Sequence, residues 1–185
     1  MEVIFTLGIL GVLSAMAAVQ ISQTNNAMRG DAAMRIIQSQ LVQAREMAIT
    51  QRKYMRVTFD VAGKLVSIVR EDTVAATTTL TSVTFEGGAS FTLVAGVPDT
   101  PDAFGKASAT SFTSVNGTFA SAVGTNTVAK FSPDGTLVDW NGALTNGTVF
   151  TAVTGIKGSA RAVTVLGSTG RVRGYRWNGQ VWTIV

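Results

Sequence analysis

From Val3 to Val19 almost every position is apolar, with only Thr6 and Ser14 as mild exceptions. That run is close to the roughly 20 residues needed to cross a bilayer core. It fades through Gln20, Ile21 and Ser22, and a polar stretch carries the chain to Asn26. A helical pattern then resumes: Met34, Ile37, Leu41, Ala44 and Ala48 are spaced 3, 4, 3 and 4, a single amphipathic stripe. Gln38, Gln40, Gln43, Arg45 and Glu46 lie largely off it, and no proline occurs before Pro98. The pattern predicts one helix from about residue 2 to about residue 53, loosened near Gly8, Gly11 and Gly30. At 1.5 Å per residue it spans about 75 Å, too long for a compact domain. Its N-terminal half must therefore protrude into something apolar, either a bilayer or a bundle of identical helices. A cleaved secretory signal would need a basic start. Here the residue before the run is Glu2, and no Lys or Arg precedes it.

Beyond the helix the period changes to that of strands. Tyr54–Asp60 alternates, turns at Ala62-Gly63-Lys64 and returns as Leu65–Val69, a hairpin signal. Further strands are expected at Val83–Phe85, Ser90–Val94, Val128–Phe131, Val149–Ala152, Ala162–Leu166, Val172–Trp177 and Val181–Val185. Turns are expected at Gly87-Gly88, Pro133-Asp134-Gly135, Asn141-Gly142, Asn146-Gly147, Ser168-Thr169-Gly170 and Asn178-Gly179. Residues from about 95 to 127 are rich in Gly, Ser, Thr and Ala and read as a long loop or insertion. The fold class is α+β: a long N-terminal helix with a protruding apolar half (residues 1–27), and a β-rich antiparallel head over 28–185. That head takes in the amphipathic helix half 28–53 and the sheet region 54–185.

Composition narrows the chemistry. Charged residues are 14% of the chain, against roughly 25% in ordinary globular proteins. The net charge of +4 thus rests on few groups and permits a basic stripe, not a uniformly cationic surface. With no Cys and no His among 185 residues, thiolate nucleophiles, disulfides, Cys/His metal sites and imidazole acid–base chemistry are all excluded. Ser and Thr have no His partner, and no Gly-rich loop opens a helix to cradle phosphate. The chain reads as a non-enzyme with no cofactor, no metal and no small-molecule substrate. Asp99 and Asp102 share a loop, but two carboxylates fall short of the six or more oxygens calcium takes.

The stretch Glu2-Val3-Ile4-Phe5-Thr6-Leu7-Gly8-Ile9-Leu10-Gly11-Val12-Leu13-Ser14-Ala15 resembles the N-terminal helix of type IV pilins and type II secretion pseudopilins. In that family a single glutamate opens a long apolar helix. The resemblance implies that Glu2 neutralises a neighbouring subunit's N-terminal amine, and that Phe5, Leu7, Ile9, Leu10 and Leu13 pack in the filament core. A carboxylate and an amine buried in the same apolar bundle each need the other. Two features depart from the family pattern. Only Met1 precedes Glu2, where family precursors carry a processing site and further residues, and the helix-breaking proline after the apolar run is missing near Val19-Gln20. The order of helix, hairpin, loop and strands is similar to the FimT and GspH class of minor pilins and pseudopilins. Gln40–Ile49 running into Val57–Phe59, Phe131-Ser132-Pro133-Asp134-Gly135, and Gly170-Arg171-Val172-Arg173 carry that likeness.

Gly170-Arg171-Val172-Arg173 matches the Gly-Arg-x-Arg motif by which FimT-like pilins bind DNA. On a strand, Arg171 and Arg173 share a face about 7 Å apart and can meet successive phosphates. Lys157, Arg161 and Arg176 lie nearby, and no Asp or Glu follows Asp139. The alternative is a turn glycine before a solvated strand whose arginines discourage edge pairing. Tyr175, Trp177 and Trp182 read as core in preference to base-stacking platforms. The resemblance implies a filament subunit whose partners are copies of itself and other pilins or pseudopilins. It would sit in the bacterial inner membrane before assembly, and at the cell surface or in a periplasmic pseudopilus afterwards. The alternatives are a DNA-capturing minor pilin and a GspH-like minor pseudopilin of type II secretion.

Overall fold

The computed structural model describes residues 2–73, 76–85, 87–106, 108–114 and 126–185. Helix α1 runs unbroken from Glu2 to Gln51, as its uninterrupted pattern predicts. It ends where Arg52 takes a left-handed conformation, φ 50°, a backbone state that terminates helices. The stripe is the buried face: Met34, Ile37, Leu41, Ala44 and Ala48 are all fully buried. Gln40 departs from the expectation. It is buried too, and its side-chain oxygen accepts from the Thr81 hydroxyl at 2.9 Å, which satisfies a polar group at the edge of the core.

Two antiparallel sheets meet this face. The first is built from β1 (Met55–Asp60), β2 (Leu65–Glu71), β3 (Thr77–Thr84), β6 (Asn126–Phe131) and β7 (Leu137–Val138), in the order β3-β2-β1-β6-β7. The second runs β11-β10-β9-β8-β4, from β4 (Ala89–Phe91), β8 (Thr145–Val153), β9 (Arg161–Leu166), β10 (Arg171–Trp177) and β11 (Trp182–Ile184). Strand β5 (Thr110–Ser114) pairs with the N-terminal part of β8. The β1–β2 hairpin turns where Asp60 Oδ1 accepts the N–H groups of Ala62 and Gly63, both at 3.0 Å, the local bonding that makes Asp a turn residue.

The helix-facing sides of both sheets form one core. Val57, Phe59, Val66, Ile68 and Phe131 come from the first sheet; Val149, Val163 and Val165 come from the second. The far side of the second sheet holds another core: Phe150, Ala162, Tyr175, Trp177 and Trp182, closed over by Val97 and its neighbours. The strand expected over Ser90–Val94 ends at Phe91, and residues 92–106, of which those from about 95 were read from sequence as loop, form a strap across the outer face of the second sheet. The Trp182 indole N–H donates to the Pro98 carbonyl at 3.0 Å. The aromatics of the C-terminal strands are core residues, buried to 8% exposure or less.

Three expectations are corrected. Thr77–Thr84 is a longer strand than the Val83–Phe85 expected, and β5 and β7 were not anticipated. Asn146-Gly147 is no turn. It lies inside β8, where Gly147 pairs with Val165 and Asn146 Oδ1 accepts the Gly167 N–H at 2.8 Å. The rest of the expected insertion, residues 115–125, lies outside the described residues.

Candidate functional site

In the N-terminal half of α1 the large apolar side chains that are described lie exposed. Val3, Leu7, Leu10, Val12, Leu13 and Met16 are each 58% exposed or more, and Ile9 is 46% exposed. Around Gly8 and Gly11 an added Cβ would meet nothing within 4 Å. The side chains of Glu2, Ile4, Phe5 and residues 17–23 lie outside the description. Among the described residues no helix is long and apolar enough to cross a membrane. The apolar run expected to do so contains several of those undescribed side chains.

The helix enters the head at Gly30 and Asp31. A Cβ on Gly30 would come within 2.3 Å of the Ser159 carbonyl oxygen, so a short 3-10 turn, Lys157–Ser159, packs directly on the helix backbone. Beside it, Arg161 Nε donates to Asp31 Oδ1 at 2.5 Å, and Arg176 Nη2 donates to Asp31 Oδ2. Arg161 is only 1% exposed. Its remaining N–H groups reach the carbonyls of Ala27, Gly158 and Ala160 at 3.2, 3.0 and 2.8 Å. A buried guanidinium needs this full set of acceptors together with an opposite charge. Burial alone raises the Asp31 pKa, but the hydrogen bonds and charges of Arg161 and Arg176 outweigh it and hold the carboxyl below the usual carboxylate range.

At the opposite end of the packed helix half, the three sequence stretches singled out above converge. Arg45 Nε donates to the Gly135 carbonyl at 3.2 Å. A Cβ on Gly170 would stand 2.1 Å from that same oxygen and 2.7 Å from Arg45 Nε. Gly170 also has φ +62°, so only glycine suits the place. The glycine of Gly170-Arg171-Val172-Arg173 is therefore required by packing of the β9–β10 turn against the Pro133–Gly135 turn and the helix.

Strand alternation then separates the candidate DNA-binding residues. Arg171, Arg173, Tyr175 and Trp177 point to the outer, strap-covered side; Val172, Gly174 and Arg176 point towards the helix. Arg171 is exposed, and Arg173, about a third exposed, lies 3.5 Å from Asp102 of the strap. Asp102 also accepts from the Thr164 hydroxyl at 2.6 Å and the Tyr175 hydroxyl at 2.9 Å. Burial, and then the bond to Asp102, raise the Tyr175 pKa above its ordinary value. Arg176 and Arg161 are on the helix side, engaged with Asp31, and Lys157 is exposed on the 3-10 turn. Arg161 is corrected from surface cation to core ion pair, and the five cations do not form one patch. Asp31 and Asp102, the acids that hold these arginines, were not singled out as their partners, because their positions in sequence are 130 and 71 residues away from Arg161 and Arg173. Asp99 Oδ1 and Oδ2 accept the N–H groups of Thr100 and Gly105 at 2.7 and 3.0 Å. Among the described residues no group of three or more potential metal ligands occurs.

The sequence matches no family model, and no curated protein matches it either. Solved structures do match. The minor pseudopilin EpsH of the type 2 secretion system of Vibrio cholerae aligns with a TM-score of 0.52 at 11% identity, over 82% of this chain and 98% of that one. The Pseudomonas aeruginosa type IV minor pilin FimU aligns at 0.47 and 15% identity, over 83% and 91%. At such identity the EpsH likeness bears on architecture alone: the chain shares with that structure a helix packed on antiparallel sheets.

Proposed function

We propose that the chain is a subunit of a type IV pilus-like or pseudopilus filament, polymerising through the N-terminal half of α1. The observation that carries this reading is a single helix with two solvation states. Its C-terminal half is the centre of the head core, while Val3, Leu7, Ile9, Leu10, Val12, Leu13 and Met16 of its N-terminal half are exposed among the described residues. An exposed apolar surface of this size on one rod marks an interaction surface. A bilayer before assembly and neighbouring helices afterwards both satisfy it. Contacts between such rods are heterologous and so propagate into a filament instead of closing. Glu2, Phe5, Leu7, Ile9, Leu10 and Leu13 are the assembly residues, with the inner membrane as the subunit's place before polymerisation and the cell surface or periplasm after it. Electron microscopy of assembled material tests this. Leu10→Arg and Glu2→Ala are each expected to abolish filaments; unchanged filaments in both would overturn the reading.

A second reading, DNA capture at the β9–β10 corner, is favoured by the exposed guanidinium of Arg171 on the same strand face as Arg173. Its weakness is electrostatic, since Arg173 is already engaged by Asp102. A gel shift with Arg171→Ala plus Arg173→Ala decides it: a contribution to DNA binding weakens the complex and flattens its salt dependence, whereas equal binding at several salt concentrations removes it.

A further inference from the structure

On the outer face of the first sheet, away from α1, Arg56 of β1 and Lys130 of β6 stand directly opposite each other in register. Like charges in that position are destabilising, so the arrangement calls for an explanation. Glu71, at the end of β2, answers part of it: Arg56 Nε and Lys130 Nζ each lie 3.0 Å from one of its carboxylate oxygens. Two aromatic rings answer another part. Lys130 Nζ sits 4.4 Å from the centre of the Tyr54 ring and 5.4 Å from that of Trp140, and the Arg56 guanidinium carbon lies 5.4 Å from the Trp140 ring. Cations over ring faces are attracted by the ring quadrupole. Even so, Arg56 Nε is buried and makes no hydrogen bond, because its approach to Glu71 is off the hydrogen-bond direction.

Around this cluster the surface opens into a cleft of about 630 Å³, bordered by the helix-terminating Arg52 and Lys53 and by the Pro133 and Asn141 turns. Its two aromatic walls remain wet, with Tyr54 40% and Trp140 39% exposed. This combination of half-exposed rings beside paired cations in a cleft is that of a ligand site. The charges restrict the ligand. Arg52, Lys53, Arg56 and Lys130 are set against Glu71, Asp72 and Asp139, a surplus of one positive charge. A polyanionic strand would bring its phosphates against three carboxylates. A ring with many hydroxyls and one negative charge meets the mixed donors and acceptors, and its apolar face can lie on an aromatic wall.

We propose that this cleft binds a glycan ending in an acidic sugar. The sugar ring stacks on Trp140 and its carboxylate meets Arg52 at the mouth. The site is independent of both readings of function given above, since it shares no residue with the assembly helix or with Arg171 and Arg173. Fluorescence anisotropy tests it, with the full chain in detergent micelles and a labelled oligosaccharide ending in glucuronic acid. The same oligosaccharide ending in glucose and a single-stranded oligonucleotide serve as comparisons. Saturable binding of the acidic oligosaccharide is expected, weaker for the neutral one. Trp140→Ala and Arg52→Gln should each weaken it by roughly tenfold, as loss of a central aromatic or charged anchor does. Trp140→Phe, which keeps a ring face, should retain most of it and guards against a folding defect in the alanine variant. Arg173→Ala should change nothing. Absence of saturable binding, equal binding of the neutral sugar, or indifference to both Arg52→Gln and Trp140→Ala would each overturn the proposal. So would an oligonucleotide that binds more tightly at the same residues.

Discussion

Asp31 faces two guanidiniums with one carboxylate, and one of those guanidiniums is in the core. Asp31→Ala leaves Arg161 buried without its counter-charge, which typically costs about 3–5 kcal/mol. Urea unfolding of the detergent-solubilised chain should show a corresponding fall in midpoint. Arg176→Ala, at a far more exposed side chain, should cost well under half of that. The acid sensitivity of the fold follows from the same carboxylate. Its folded pKa lies below the ordinary 3.8, so its contribution is complete above that value and is lost as pH falls through the depressed one. Asp134 behaves alike: the Ser132 hydroxyl and then the Thr136 N–H and hydroxyl hold it at about 2. Stability is therefore expected to be flat with pH from neutrality to just above 4 and to decline below it, as monitored by thermal unfolding across that range. Among the cations of the outer cleft, Glu71→Gln would leave Arg56 and Lys130 opposed without their shared anion. The expected loss is about 1 kcal/mol, the low end of the cost of unpartnering polar groups, because all three side chains are only partly buried.

At the scale of elements, the β9–β10 turn, the Pro133–Gly135 turn and the helix interlock through Gly170 and the Gly135 carbonyl. Gly170→Ala places a methyl in a left-handed conformation, a strain of about 1–3 kcal/mol, and the 2.1 Å approach adds to it. A thermal midpoint unchanged in that variant would show that the corner gives way easily. The helix was legible in sequence because its two patterns, a continuous apolar run and a stripe at Met34, Ile37, Leu41, Ala44 and Ala48, have no other common solution. The hairpin β1–β2 was legible for a like reason: alternation on both sides of a Gly-containing turn. Strand β3 was not, since an edge strand with one wet face can be written Thr-Thr-Thr-Leu-Thr-Ser-Val-Thr without hydrophobic alternation. Asn146-Gly147 misled because the dipeptide that makes a good turn also tolerates a strand when the Asn side chain finds a distant N–H, here that of Gly167. At the candidate sites, sequence supplied the arginines but not their partners. Asp31 reaches them through the packing of α1 on the second sheet and Asp102 through the path of the strap, which no local pattern encodes.

Over the whole molecule, the proposed function has assembly and folding draw on different parts of one helix. Leu7→Arg or Leu13→Arg is expected to prevent filament formation while leaving the unfolding midpoint of the head unchanged, because these side chains touch nothing in it. A shift of that midpoint would mean that the two halves are energetically coupled. The geometry of the buried stripe has a mechanical consequence as well. From Met34 to Ala48 it covers about 21 Å along the helix axis, with both sheets seated against it. In a filament held by its helices, tension runs along that axis, so the head is loaded in shear: all the seated contacts resist together, and none can yield before the others. A pull at right angles would instead peel the head from one end, starting at Gly30 and Asp31. The head should thus withstand far larger forces along the filament than across it, an anisotropy that single-molecule pulling from two attachment geometries would measure directly.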